Sequence, residues 1–478
     1  MAQLDGNAVL AADRDASIHL PPKHKRGDPA WRDRRLMVAA ALGRWLIADA
    51  EHVHLFRFLS QPRSWDAVRE KFGDRAAHLG TDLWQRGLIT VNGRRNVGRV
   101  RAKEPRQPSF IALHMAQGCN FRCAYCYNEA SGQSRLSSAD ALKLLEKAGR
   151  ELSCSEISVD FLGGEPLLAW PEIVQVMRGA RLLEKQLGKK FNFMMQTNGS
   201  LLTPDKVRIL IEYRVGVGVS LDGPESVHDL RRRTVSGAPT HAAVVKNMLE
   251  ARRLGLDVNP LAVVCDYGNC AESLEYFVRE LGVRTVRFNS FSRLGRARSS
   301  EEACDSSPAY QAQGFLAMAD KALQLAAELE ARLRVYDLCW YLHDLVSDER
   351  PYMCRRSPCG LGEAIVSYGA DGFLYACEEY EENTRAAMCL GRPEEVDLGK
   401  LRETSPFWKR LKPRTIESIP KCARCVWRHF CGGGCAHKAF AAYGTWYRED
   451  PMCGFYERIF PELMWRIGED SRYLKYLL

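Results

Sequence analysis

The sequence predicts an α/β chain: a partial (β/α)6 TIM-type barrel of parallel strands, followed by a cysteine-rich domain and preceded by a small winged-helix-like unit. Three observations predict it. Between residues 109 and 300, six apolar β-rich runs alternate with helical patterns, the order that gives a parallel sheet. Between 351 and 455 the composition changes to cysteine, glycine and aromatic residues. The 478 residues exceed what one domain of roughly 100–200 residues holds.

Taken in order, apolar residues from Trp31 to about Thr90 fall at helical spacings, as in Leu55, Phe56 and Leu59, then Trp65, Val68 and Phe72, then Leu79, Leu83 and Trp84. Ser64 suits an N-cap, and Gly87 stands where the last helix stops before a strand at 88–91. Small helices followed by a hairpin make a winged-helix-like unit, assigned to residues 1–108 together with a basic linker through Arg94, Arg95, Arg99, Arg101, Lys103 and Arg106. The barrel strands are expected at 110–115, 157–162, 191–196, 217–221, 258–264 and 283–289. Helices between them include 138–152, 204–213, 242–254 and 271–281. A helical connector fills 301–350, the cysteine-rich domain 351–455, and an amphipathic helix with Phe460, Leu463, Trp465 and Ile467 closes the chain at 456–478. Sites in such sheets lie at the C-terminal ends of the strands.

Hydrophobic residues make up 46% and charged residues 27%, as in globular proteins, and no uncharged apolar run reaches the ~18 residues of a membrane span. The first thirty residues hold no secretory apolar region, so a cytoplasmic location is expected. A net charge of +9 over so long a chain does not demand nucleic acid. The informative number is 17 cysteines: in a chain of this kind they suggest metal-bound or catalytic thiolates before disulfides.

Just past the first barrel strand stand Cys119, Cys123 and Cys126, a C-x3-C-x2-C triplet on a loop. Three thiolates can hold a [4Fe–4S] cluster with one iron open to a ligand. The other readings are a zinc site lacking its fourth ligand, or buried thiols. With Tyr125 before its last cysteine, the triplet resembles the signature of radical S-adenosylmethionine (SAM) enzymes. The resemblance continues from strand to strand. Gly163-Gly164-Glu165-Pro166 resembles the element that meets the SAM amino group. Asn198 follows the third strand in Thr197-Asn198-Gly199. Ser220, Asp222 and Arg232 follow the fourth, in a pattern similar to the peptide-modifying branch, where the serine and arginine are expected to reach the SAM carboxylate and ribose. In such enzymes an electron from the cluster splits SAM, and the resulting 5′-deoxyadenosyl radical takes hydrogen from the substrate. The protein orients the cofactor and excludes water.

A second set comprises Cys354, Cys359, Cys377, Cys422, Cys425, Cys431, Cys435 and Cys453. It resembles the SPASM extension of radical SAM peptide maturases, and eight thiolates suffice for two further fully ligated [4Fe–4S] clusters. The resemblance implies Cys354, Cys359, Cys377 and Cys435 for one, and Cys422, Cys425, Cys431 and Cys453 for the other. Six cysteines remain, Cys154, Cys265, Cys270, Cys304, Cys339 and Cys389, which read as small buried hydrophobes. Cys389, near the acidic stretch 378–382, could also approach the site. A zinc ribbon from Cys422, Cys425, Cys431 and Cys435 is the rival, and it leaves the other four without a purpose.

The resemblance implies an oxidative peptide maturase with three [4Fe–4S] clusters and SAM as cofactors, acting on a peptide or small protein. Glu378, directly after Cys377, and Glu379 are its candidate proton acceptors, or else a solvated acidic loop. Length, domain order and the eight cysteines are similar to the radical SAM maturases of quinohemoprotein amine dehydrogenases, which build Cys-to-Asp or Cys-to-Glu thioether bonds in a small subunit. Thioether formation in a Cys-rich small subunit carrying a leader peptide is therefore expected, served by a flavodoxin- or ferredoxin-type electron donor. Carbon–carbon cross-linking and formylglycine formation are alternatives within the chemistry, and a non-catalytic zinc-ribbon binding module is the alternative outside it. The N-terminal unit resembles elements that recognise a leader peptide by adding it as a strand; a cap on the barrel or a DNA-binding winged helix would use the same elements.

Overall fold

The computed structural model describes residues 1, 4–96, 107–128, 132–298, 307–410 and 414–478. Arg99, Arg101, Lys103 and Arg106 of the expected linker, and Cys304, lie outside the described residues.

The N-terminal unit contains β1 (Val9–Ala12), β2 (Ala16–His19), β3 (Arg35–Ala39), β4 (Arg44–Ala48), β5 (Arg63–Ser64) and β6 (Ile89–Val91). They form two antiparallel sheets, ordered β5-β1-β6 and β2-β3-β4. Helices Ala50–Phe58, Trp65–Phe72 and Ala76–Gln85 complete the unit, and Ser64 Oγ caps the second by accepting from Ala67 N at 3.3 Å. Helical spacing fails at 35–48, where the chain forms the β3–β4 hairpin. The reason is that β3 is apolar on both faces: Met37 and Ala39 enter the unit's own core, while Leu36 and Val38 enter the core of the rest of the molecule. A strand buried on both sides has no polar face and shows no period of two.

Strands β7 (Phe110–Ala116), β8 (Glu156–Gly163), β9 (Lys190–Thr197), β10 (Gly216–Ser220), β11 (Val258–Val264) and β12 (Thr285–Ser290) run parallel and pair with their neighbours in chain order. Their outer residues, such as Ile157, Val159 and Phe161 or Phe191, Phe193 and Met195, are buried in the main core. The alternate positions carry Ser158, Asp160, Asn192, Gln196, Gly216, Gly218, Asn259 and Arg287. A parallel sheet covered on both faces would be apolar on both; this one keeps a polar inner face because that face lines a chamber.

The expected helical connector is interrupted. Helix Pro308–Glu328 ends near Glu330, whose φ is 47°, and β13 (Arg334–Val335) joins the sheet beside β12 before helix Tyr336–Val346. At the other edge, β14 (Ile365–Tyr368) pairs parallel to β7, and β15 (Leu374–Tyr375) and β16 (Cys389–Gly391) add antiparallel, extending the sheet to ten strands. The cysteine-rich region is thus tied to the barrel through backbone pairing. Helix Cys453–Glu469 buries Phe455, Ile459, Phe460, Leu463 and Trp465. Among the described residues, no helix is long and apolar enough to cross a membrane.

Candidate active site

The triplet loop leaves the C-terminal end of β7 and is held by its neighbours. Cys119 Sγ accepts from Phe121 N at 3.3 Å and from Asn198 Nδ2 at 3.8 Å, and the carbonyl of Cys123 accepts from Arg296 at 2.9 Å. Burial pushes the thiol of Cys119 up to about 11 and that of Cys123 up to about 12, and raises Cys126 as well. A nearby metal cation reverses that preference and ionises such thiols.

The end of β8 passes directly over this loop. A Cβ at Gly163, whose φ is 136°, would stand 2.2 Å from the carbonyl oxygen of Ala116, and one at Gly164 would stand 2.3 Å from that of Gly118. Only glycine permits the approach. Gly295, after β12, does the same from the other side: its φ is 52°, and a Cβ there would lie 2.0 Å from the Tyr127 carbonyl oxygen. The sequence reading did not single out Gly295 or Arg296, because nothing local marks a contact across 170 residues of chain.

Glu165 is fully buried. Its Oε1 accepts from Thr197 Oγ1 at 2.7 Å and Leu167 N at 3.0 Å, and Oε2 from Asn198 N at 2.7 Å. A carboxylate has about four acceptor positions, so one remains for a cation. Asn198 also donates to Asn120 Oδ1 at 2.8 Å, tying the third strand's end to the cysteine loop. Ser220 ends β10 on the inner face. Asp222 accepts from the Tyr125 hydroxyl, from Arg232 Nε at 2.9 Å and Nη2 at 3.1 Å, and from Val263 N at 2.9 Å. Burial opposes ionisation of Asp222, but Arg232 outweighs it and holds the carboxyl below its usual range. Tyr125 and Arg232 therefore both bond Asp222.

Among the described residues, no disulfide joins the sixteen cysteines, and no three His, Cys, Asp or Glu side chains close on a single-ion site. The eleven candidate thiols fall into three groups instead. Cys119 and Cys123 lie within electrostatic reach of Cys126. Cys354, Cys359, Cys377 and Cys435 line one cavity of about 380 Å³ that continues along the inner face of the barrel strands. Cys422, Cys431 and Cys453 each lie within electrostatic reach of Cys425. Cys389 lies in β16 and does not line the cavity. Cys265 and Cys270 are buried, and Cys154 and Cys339 half-buried.

Cys431 and Cys435 have only three residues between them yet join different groups. Gly432, Gly433 and Gly434 separate them with φ of 62°, 87° and 68°, a left-handed run that reverses the chain between the two thiols. Buried Arg414 pins this turn by donating to the carbonyls of Gly433 at 2.8 Å and Gly434 at 3.1 Å, and to those of Trp446 at 2.6 Å and Arg448 at 2.9 Å. Asp450 accepts from Cys435 N at 2.6 Å. Arg414 is a third residue that the sequence does not mark, since its partners are carbonyls and carry no residue-type signal.

Glu378 lines the cavity. Burial pushes its carboxyl up to about 7; Arg287 opposes the rise and Glu379 adds to it. Glu379 does not line the cavity and lies within the electrostatic reach of Cys435, His437 and Lys438. Tyr127, next to Cys126, feels the charge of both glutamates.

Residues 113–281 match the radical SAM superfamily. A cysteine-type anaerobic sulfatase-maturating enzyme of Clostridium perfringens is 24% identical over 355 residues, covering 68% of this chain and 88% of its own. The radical SAM cyclopropyl synthase TigE of Paramaledivibacter caminithermalis is 26% identical over 229 residues, 42% of this chain and 47% of its own. Two solved structures share the fold: native anSMEcpe with bound AdoMet and Cp18Cys peptide, at a TM-score of 0.62 and 20% identity over 76% of this chain and 99% of that one, and Streptococcus suis SuiB bound to precursor peptide SuiA, at 0.54 and 14% over 93% and 99%. The matched span runs from within β7 to the end of the helix before β12 and contains the triplet loop: residues 113–281 form a radical SAM domain and the protein is an enzyme of that kind, which implies S-adenosylmethionine and a [4Fe–4S] cluster as cofactors.

Proposed function

We propose that this enzyme carries three [4Fe–4S] clusters and oxidatively cross-links a peptide or small protein through thioether bonds. The observation that carries the three-cluster reading is the division of eleven thiols into one group of three and two groups of four. The donor sets fit: three thiolates leave an iron open to SAM, and four close a cluster completely. In this reading Cys119, Cys123 and Cys126 hold the first cluster, Cys354, Cys359, Cys377 and Cys435 the second, and Cys422, Cys425, Cys431 and Cys453 the third.

When bound, the first cluster and SAM supply the radical that removes hydrogen from the substrate. The chain's own residues orient and shield that chemistry. Glu165 offers its remaining acceptor position to the SAM ammonium, a charge-assisted contact, while Gly163 and Gly164 let the cofactor approach the backbone. Asn198 and Ser220 border the same strand ends. Tyr125, Asp222 and Arg232 act as the frame that fixes the loop beside it. Glu378, half-neutral near pH 7 and facing the cavity, takes a proton from the reacting substrate; Glu379 supports it. In the N-terminal unit β5 and β6 are the outer strands of their sheet, where a leader peptide can add as a strand, and a flavodoxin- or ferredoxin-type protein supplies electrons.

The relatives named for sulfatase maturation favour a second reading, formylglycine formation. Product mass spectrometry separates the two: thioether formation removes a pair of hydrogens per bond and leaves thiols that no longer alkylate. The cluster reading is tested by anaerobic purification, which should yield about twelve irons per chain. Cys123→Ala should lose SAM cleavage together with about a third of the iron; retained cleavage would exclude the assignment.

A further inference from the structure

The chamber contains polar groups that the chemistry above does not use. Asp160, in the middle of β8, is only 3% exposed. Its Oδ2 accepts from Gln196 Nε2 at 3.2 Å, and its buried Oδ1 has no hydrogen-bond partner among the described residues. Arg287, on the inner face of β12, donates Nη2 to the Tyr352 hydroxyl at 3.0 Å and lies over the Trp340 ring at 5.4 Å, while its buried Nε has no hydrogen-bond partner among the described residues. Both side chains line the cavity. An unpaired buried polar atom is destabilising, so two on one cavity wall require an explanation.

Their hydrogen-bonding sense is the same. Gln196 donates to Oδ2, so that oxygen is an acceptor. Burial, and then the charge of Glu378, push the Asp160 carboxyl up to about 8, which leaves the proton on Oδ1 at neutral pH. A carboxylic acid kept neutral in this way is a donor, and an arginine Nε is never anything else. On β10, between the two strands, Gly216, Val217 and Gly218 line the cavity, and the two glycines add no side chain to it. Two donors that no acceptor among the described residues bonds, with the Glu378 carboxyl in the same cavity but not hydrogen-bonded to either, are complementary to an oxygen.

We propose that Asp160 and Arg287 form a donor pair that holds a side-chain oxygen of the substrate residue, a carboxylate or a carboxamide, in the chamber. The assignment rests on the peptide-modifying reading of the site. It adds two specificity-determining residues to the chamber, and it narrows the residue presented for reaction to one with an oxygen at its tip.

Calorimetric titration of the iron-reconstituted enzyme with N-acetyl, N-methylamide derivatives of glutamate, glutamine and norvaline tests this. The two oxygen-bearing probes should bind about tenfold or more tightly than norvaline, the worth of one charge-assisted hydrogen bond. Preference for glutamate over glutamine assigns a carboxylate; equal affinity assigns the shared carbonyl oxygen. Arg287→Met and Asp160→Leu should each erase the preference, whereas Asp160→Asn, which keeps a donor, should retain it. Equal binding of norvaline, no binding of any probe, or an Arg287→Met variant that still discriminates would overturn the proposal. Iron content and SAM cleavage of the same preparation separate this failure from failure of the cluster reading: if both are intact, only the donor pair is refuted.

Discussion

Arg232 holds Asp222 through two hydrogen bonds, Nε to Oδ2 at 2.9 Å and Nη2 to Oδ1 at 3.1 Å, with both side chains less than a tenth exposed. The guanidinium also lies over the Tyr125 ring at 5.1 Å, so the pair clamps the loop that carries the triplet. Removing one partner of a buried pair leaves an uncompensated charge and costs about 3–5 kcal/mol. Asp222→Asn should therefore lower the melting temperature substantially in the absence of any cofactor. If the variant kept its stability and lost only SAM binding, Arg232 would be a direct cofactor contact and not part of a frame.

The close passage of glycines over the cysteine loop gives a second expectation. Gly164→Ala and Gly295→Ala would drive a methyl group to 2.3 Å and 2.0 Å from backbone carbonyl oxygens, which cannot retreat as a side chain can. Each should cost about 1–3 kcal/mol and displace the loop, so that reconstituted protein loses the triplet's share of iron. Gly218→Ala is the control: its nearest neighbour would lie 3.8 Å away, and its iron content and melting temperature should match wild type.

These contacts mark the limit of what the chain discloses in linear form. Cys119, Cys123 and Cys126 are legible because their spacing is itself the signal, and the barrel strands are legible through outward residues such as Ile157, Val159 and Phe161. Asp160, Gln196 and Arg287 occupy inward positions on those same strands, where a polar residue looks like ordinary alternation until the sheet curls and the positions converge. Gly295 meeting Tyr127, or Arg414 meeting Gly433, leaves no local trace because the partner is backbone. The β3 strand misleads for the opposite reason: Leu36 and Met37 are both buried, each in a different core.

Asp160 gives a pH dependence whose sign is fixed. Its carboxyl ionises at about 8 when folded against 3.8 ordinarily, so the folded state binds the extra proton. The associated stability is complete below about pH 4 and is lost as pH rises towards 8, at up to about 1.4 kcal/mol per pH unit. Asp160→Asn removes the titration. The variant should gain melting temperature over wild type, with a gap that widens between about pH 6 and about pH 8. A gap that stays constant across this interval would mean that Asp160 is already ionised at the lower pH.

Arg414 couples the two groups of four. Its planar guanidinium satisfies carbonyls of Gly433, Gly434, Trp446 and Arg448 at once, and the three left-handed glycines it pins direct Cys431 towards one group and Cys435 towards the other. Lysine offers a single point of donation and cannot reproduce the fork. In Arg414→Lys, several of these carbonyls lose their donor, each at about 1–3 kcal/mol where it remains buried, and the turn relaxes. Because one turn feeds both groups, the expected loss is joint: iron should fall from about twelve per chain towards the four held by the triplet, with SAM cleavage retained. Loss of only about four irons would show that the groups are held independently. A full complement would show that the glycines, and not Arg414, set the turn.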